Sequence, residues 1–261
     1  MVSVAARLSA LFGVSDPVAV VTGGGAKRVG HAVAWALAAR GYRLVIHANR
    51  SLAEVQQTVN ELRTGGVEAL ALQADLTEEA AARGLVDRAH EHFGRLDLLV
   101  NSAAIWPTKK LEDVSADDVR QCFEINAIGT FVCAQQAGLK MVAQATGGVI
   151  INIGDWAIVR PYLDYAAYFP SKGAIPTLTR NLAVELAERN PRVRVNAILP
   201  GPVMLPADMP PAERKQVIRG TLVKREGSPE HVADAVVFLA ENDFITGVCL
   251  PVDGGRSIYA P

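Results

Sequence analysis

Seven short apolar runs set the strongest limit on what this chain can fold into: Val18–Val21, Leu44–His47, Ala69–Gln73, Leu98–Asn101, Val149–Ile153, Val193–Ala197 and Cys249–Val252. They are rich in Val, Ile and Leu without alternating polar positions, which is the pattern of strands covered on both faces of a parallel sheet. Parallel neighbours require a crossover between them. The intervening segments supply one, reading as helices over 29–40, 52–64, 78–93, 116–145, 166–189 and 229–240. Ser115 and the run Ser228-Pro229-Glu230 mark helix starts, while Gly41 and Pro191 follow helix ends. Pro176 lies inside 166–189 and predicts a bend just after Lys172. The alternation predicts an α/β fold: a single Rossmann-type, doubly wound parallel sheet of about seven strands with helices on both faces.

With 261 residues, half of them apolar, one such core is affordable, and no repeat, low-complexity tract or linker divides it. The domain is expected over 18–261. Residues 1–17 read as a short, poorly ordered or loosely docked N-terminal arm. Arg7 with Ser3, Ser9 and Ser15 faintly resembles a transit peptide, the less favoured alternative.

A net charge of −1 offers no footprint for nucleic acid or an anionic membrane. No apolar run approaches the ~20 residues of a membrane span. Cys122, Cys133 and Cys249 are odd in number, widely spaced and in apolar settings, which suits free thiols in a reducing, cytoplasmic compartment. His90 and His92, two apart on a helix, point in different directions, and no metal site is expected.

The chemistry-bearing residues cluster after the fifth run, at Asp155, Tyr168 and Lys172. Tyr and Lys four apart on a helix share one face, so an ammonium beneath the phenol would favour phenolate and lower a Tyr pKa that is ordinarily ~10. Such a pair is common by itself. It gains weight from the segment joining the first strand to the first helix, Thr22-Gly23-Gly24-Gly25-Ala26-Lys27-Arg28-Val29-Gly30. Glycines there let the backbone approach a pyrophosphate at a helix N-terminus.

Taken together these motifs resemble the short-chain dehydrogenase/reductase family over nearly all of 18–257. Asp155, where most members carry Ser, is similar to the pteridine reductases of that family. The loop is similar to the family's Gly-x-x-x-Gly-x-Gly, with Gly24, Arg28 and Gly30 at the three positions and Gly23 extra; which glycine makes the tight turn is open. The resemblance implies a nicotinamide cofactor touching Gly24, Lys27, Arg28, Val29, Asp75, Leu76, Asn101, Ala103, Tyr168, Lys172 and Gly201. Asn49, Arg50 and Ser51 follow the second strand, and the first acid is Glu54; cations and hydroxyls there suit a 2′-phosphate, so NADP(H) is expected over NAD(H).

For the family, Tyr168 would be the general acid, Lys172 would tune it and hold the nicotinamide ribose, and Asn126 would hold a proton-relay water; a buried or capping amide is the alternative for Asn126. An acid at 155 suits a nitrogen heterocycle whose ring nitrogen takes a proton while the adjacent carbon takes hydride; a capping acid in a carbonyl reductase is the alternative. Trp106, five residues after Asn101, offers a stacking face for a flat pterin, or else fills the loop core. Arg28 would reach both cofactor and substrate. Ala104 stands where such enzymes offer a pterin-binding Ser, and 203–211 reads as a lid whose Asp-Met-Pro-Pro run resembles trypanosomatid pteridine reductases.

The resemblance therefore implies an NADPH-dependent reductase of pterin or dihydrofolate-like small molecules, homo-oligomeric and most often tetrameric through 116–145 and 166–189. A carbonyl reductase or alcohol dehydrogenase of ketone or oxoacyl substrates is the runner-up. A non-catalytic NADP-binding scaffold comes third.

Overall fold

A computed structural model describes residues 3–25 and 28–259; Lys27 lies outside the described residues. Seven strands form one sheet, β1 (Val18–Thr22), β2 (Arg43–Ala48), β3 (Ala69–Gln73), β4 (Leu98–Asn101), β5 (Gly148–Ile153), β6 (Val193–Pro200) and β7 (Cys249–Val252). Their order is β3-β2-β1-β4-β5-β6-β7, and every pairing is parallel. The absence of polar alternation has a direct cause. Ala19, Val21, Leu44, Ile46, Val100 and Ile151 face one apolar layer, whereas Val20, Val45, Leu99, Ile150 and Val195 face the other.

The first layer is supplied by α2 (Val29–Ala39), α3 (Leu52–Thr64) and α9 (Pro229–Glu241), the second by α4 (Glu79–Phe93), α6 (Gly129–Ala143) and α7 (Tyr168–Ala187). The strand order reverses between β1 and β4, and ligands of such sheets bind beyond the carboxyl ends at that point. There Thr22, Asn101 and Asn152 lie side by side in register.

The expected helix 116–145 is not uniform. It comprises α5 (Ala116–Phe123), a π segment over Glu124–Ile128 and then α6. Ser115 starts α5 with a full capping box to Asp118. Helix α7 runs through Pro176, and Lys172 stays on its buried face. A short helix α8 (Pro211–Arg219) follows the expected lid loop.

The arm expected to be poorly ordered or loosely docked is instead helical over α1 (Val4–Phe12). Ser3 caps its start by accepting from the Ala6 N–H, and Gly13 ends it at φ 74°. Leu8 and Phe12, one turn apart, are buried against the first layer, with Phe12 edge-on to Tyr42 at 6.1 Å. Arg7 donates to the Glu241 carbonyl at 2.8 Å, and Arg95 donates to the Phe12 carbonyl at 2.6 Å. Two apolar residues a turn apart are too little signal for sequence reasoning, but two arginines and a core edge fix the helix. Leu8→Ala is accordingly expected to cost about 2–5 kcal/mol in denaturant unfolding. A loss below about 1 kcal/mol would mean α1 does not dock in solution.

Candidate active site

The turn after β1 is made by Gly23, at φ 67°. A side chain there would drive a Cβ to 2.6 Å from the Ala103 Cα. Thr22 braces the same junction, its hydroxyl accepting the N–H groups of Ser102 (3.0 Å) and Ala103 (3.1 Å). Gly24 hydrogen-bonds back to the His47 carbonyl at 2.9 Å, and Gly30 lies so close to Gly23 that a Cβ would meet its carbonyl oxygen at 2.7 Å. The N-terminus of α2 is left open: Arg28 makes no side-chain cap and no acid occupies the first turn. The N–H groups of its first turn and its positive dipole end fit a pyrophosphate.

Asn49, Arg50 and Ser51 lie beyond the end of β2, with the Ser51 hydroxyl 2.5 Å from where a Gly25 Cβ would be. Asp75 stands nearby. The hydrogen bonds from the Thr77 N–H and hydroxyl hold its carboxyl below the ordinary range, with smaller help from Asn49 and Arg50. Leu76 is buried under the start of α6, where a Gly129 Cβ would meet its carbonyl oxygen at 2.9 Å. Asn101 donates to Asn152 at 3.0 Å, and its own Oδ1 is buried without a partner among the described residues. On the far side Gly201 receives support from the Val252 carbonyl, at 2.9 Å. These glycines, open N–H groups and orphan acceptor fit a dinucleotide.

One residue that sequence reasoning passed over joins this cradle. His47 is buried; its Nδ1 accepts from the Gly23 N–H at 3.3 Å, and its Nε2 faces the Ala74 carbonyl at 3.0 Å. Those partners assign the proton to Nε2. Burial lowers its pKa, keeping the ring neutral as it ties the ends of β1, β2 and β3 together. A lone His in an apolar strand gave no signal of this.

Asp155 and Tyr168 converge beyond β5, and Asn126 reaches the same helix at Ser171. Asp155 follows the strand and turns its Oδ1 to the Ala157 N–H at 2.8 Å, capping the short turn Trp156–Ile158. Its other oxygen, Oδ2, accepts from the Tyr168 hydroxyl at 2.8 Å. The carboxylate thus caps and faces the phenol at once. Burial raises its pKa against the opposing pull of those two hydrogen bonds.

The phenol differs from the expectation. Burial first, then the Asp155 charge, hold the Tyr168 pKa well above 10 rather than below it, and Lys172 is not among the causes. The reason is geometric: the Lys172 ammonium donates to the Ile153 carbonyl at 2.8 Å, while the carboxylate sits on the phenol. Lys172 itself is 3% exposed, and burial lowers its pKa to about 8. Asn126 lies in the π segment, fully buried. Its amide donates to the Ile105 carbonyl (2.9 Å) and to the Ser171 hydroxyl (3.0 Å), and accepts from the Ile105 N–H (2.9 Å). A π segment leaves the regular ladder where it occurs and often marks a functional position.

Trp106 does not fill the loop core. It is 44% exposed, and the Arg28 guanidinium lies 5.0 Å from its ring centre, so these two expected substrate contacts lie against each other. The lid loop is held by Arg214, which donates to the Pro206 carbonyl at 3.1 Å and pairs with Glu226 at 2.5 Å. A cavity of about 340 Å³ lies between Val203, Val223 and Gly254, beneath the residues that follow the lid. It is not lined by Asp155, Tyr168 or Lys172. Among the described residues no group of His, Cys, Asp or Glu is arranged to hold a metal ion, and no helix is long and apolar enough to cross a membrane.

A family model described as enoyl-(acyl carrier protein) reductase matches residues 24–257. The chain is 37% identical over 249 residues to a Streptomyces violaceoruber protein assigned as ketoacyl reductase 2 of the granaticin polyketide synthase, covering 93% of this chain and 96% of that one. It is 35% identical over 287 residues to pteridine reductase 1 of Leishmania tarentolae, covering 93% and 96%. Among solved structures, a Sinorhizobium meliloti 1021 protein assigned as a short-chain alcohol dehydrogenase superposes with a TM-score of 0.85 at 30% identity, covering 92% and 96%.

Proposed function

Because the chain belongs to the short-chain dehydrogenase/reductase family, we propose that this oxidoreductase is an NADPH-dependent reductase of pterin or dihydrofolate-like compounds. The observation that carries the reading is the 2.8 Å hydrogen bond from the Tyr168 phenol to Asp155. A carboxylate at that position would repel a developing alkoxide, whereas a ring nitrogen gains a proton and leaves no oxyanion to stabilise. Bound NADPH would supply hydride to the carbon beside that nitrogen. Tyr168 and Asp155 deliver the proton between them, the phenol kept neutral by burial and the carboxyl biased toward its protonated form. Lys172 holds the nicotinamide ribose, and Asn126 positions the relay water. Trp106 and Arg28 stack on the flat substrate.

Arg50, with Ser51, clamps the 2′-phosphate, and Lys27, outside the described residues, is the further cation expected there. Arg50→Ala is expected to raise the NADPH KM about 10–100-fold, the size of a charge-assisted hydrogen bond. An unchanged KM, or tighter use of NADH, would reject NADP(H) as the cofactor.

The reading is tested by NADPH oxidation with biopterin, dihydrobiopterin, dihydrofolate and simple ketones. Pterins should be turned over, and Asp155→Ser should lower that turnover by at least about 100-fold while sparing ketones. Full pterin activity in Asp155→Ser would remove the acid from the mechanism. Reduction of ketones alone would favour the second reading, a carbonyl reductase in which Asp155 chiefly caps its turn, supported by the Ala157 bond and the ketoacyl reductase relative. The scaffold reading has least support, since the proton-relay residues are all present. We expect a cytoplasmic homotetramer whose contacts include Ile128, Phe131, Leu139 and Val184, all exposed on the π segment, α6 and α7.

A further inference from the structure

The two loops that wall the cleft are stitched to each other. The loop after β4 carries Trp106, and the loop before α7 carries Tyr162 and Tyr165, with Tyr168 the first residue of the helix. The Thr108 hydroxyl donates to the Tyr165 hydroxyl at 2.9 Å. One residue on, the Lys109 N–H donates to the Asp164 carbonyl at 2.8 Å. Asp164 is held at φ 70°, a left-handed conformation that persists in a non-glycine residue only where its surroundings fix it. The Lys109 ammonium is in turn anchored 2.7 Å from Asp118, the residue that closes the capping box of α5. Tyr165 then meets Tyr168 edge-on, with ring centres 6.1 Å apart. A chain of contacts therefore runs from the stacking Trp, through Thr108 and Tyr165, to the phenol that faces Asp155.

Ile105 and Tyr165 bring the two loops onto one apolar cluster with Trp156, Tyr168 and Phe169, but Thr108 and Asp164 lie exposed beyond it, where the hydrogen bonds are the link. We propose that Thr108 and Tyr165 form a positioning pair that locks the Trp106 loop to the loop leading into Tyr168, so that the two walls hold the flat substrate as one rigid unit. Neither residue touches the reacting atoms. Their effect is on substrate binding, and it rests on this cleft being where substrate is reduced.

Thr108→Val removes the hydroxyl and keeps the shape, Thr108→Ser keeps the hydroxyl, and Tyr165→Phe removes its partner. Losing one hydrogen bond is expected to raise the substrate KM about fivefold. NADPH KM and kcat should stay near wild type. Thr108→Ser should restore the wild-type value, and the double variant Thr108→Val/Tyr165→Phe should match the single ones rather than multiply them. A KM that rises equally in Thr108→Ser, or multiplies in the double variant, overturns the proposal. Hydrogen exchange gives a readout without turnover: the segment 102–110 should exchange faster in Thr108→Val and not in Thr108→Ser, because the Lys109 N–H loses its protection. Unchanged exchange in Thr108→Val rejects the clasp whatever the substrate. If ketones rather than pterins are reduced, the proposed function fails while the clasp is still judged on the ketone KM and on exchange.

Discussion

Tyr168→Phe is expected to lower kcat by about 10²–10⁴-fold, the range over which a positioned general acid contributes. Cofactor affinity and fold should survive. The ring stays in its cluster with Trp156, Ala157, Ala167 and Phe169, and only one oxygen is lost. That oxygen donates to Asp155 Oδ2, which is left with one partner fewer. An unpaired buried acceptor costs about 1–3 kcal/mol. Here the cost is softened, because burial already raises the Asp155 pKa and protonation relieves the stranded charge. Turnover is read as NADPH oxidation, affinity as quenching of cofactor fluorescence, and stability as Tm. Turnover within tenfold of wild type would make Asp155 alone the proton donor and reduce Tyr168 to a hydrogen-bond partner.

The same pair of residues shows where sequence reasoning reaches and where it stops. Asp155, Tyr168 and Lys172 were legible because strand–turn–helix order and a four-residue spacing dictate that they converge. The Tyr168 pKa was not, because its direction follows first from the burial of the phenol and then from the Asp155 carboxylate lying on it, while the Ile153 carbonyl captures Lys172. The strands were readable because each is apolar on both faces. Helix 116–145 was legible as a segment, yet the π segment at Asn126 was not, since one extra residue in a turn barely disturbs an apolar pattern. Helix α1 escaped notice because its anchors, Glu241 and Arg95, are remote in sequence. His47 and Thr108 carry no motif at all; their significance lies in partners 24 and 57 residues away.

Lys172→Met should separate function from stability more sharply than any other change. Lys172 is 3% exposed, its ammonium donates to the Ile153 carbonyl, and among the described residues no carboxylate lies within salt-bridge distance, Asp155 acting on it only through its more distant charge. Burial takes its pKa from 10.5 to about 8, a fall worth about 3 kcal/mol at neutral pH. The sign follows from the folded value lying below the unfolded one. Above about 10.5 both states are neutral and nothing is lost; as pH falls toward 8 the unfolded chain gains the proton first and stability declines, levelling off below 8. Met removes this penalty but strands the Ile153 carbonyl, at about 1–3 kcal/mol. The two nearly cancel. The variant should keep its Tm within a few degrees of wild type at pH 7, roughly the shift that 1 kcal/mol produces in a chain of this size. Its Tm relative to wild type should fall as pH rises from about 8 to 10, where the wild type alone recovers stability. Turnover, by contrast, should fall about 100-fold or more with the proton relay incomplete. A variant that kept its activity and lost its fold would make Lys172 a structural residue. An ammonium buried against a single carbonyl adds little to stability, and a role in the proposed reaction would account for its presence.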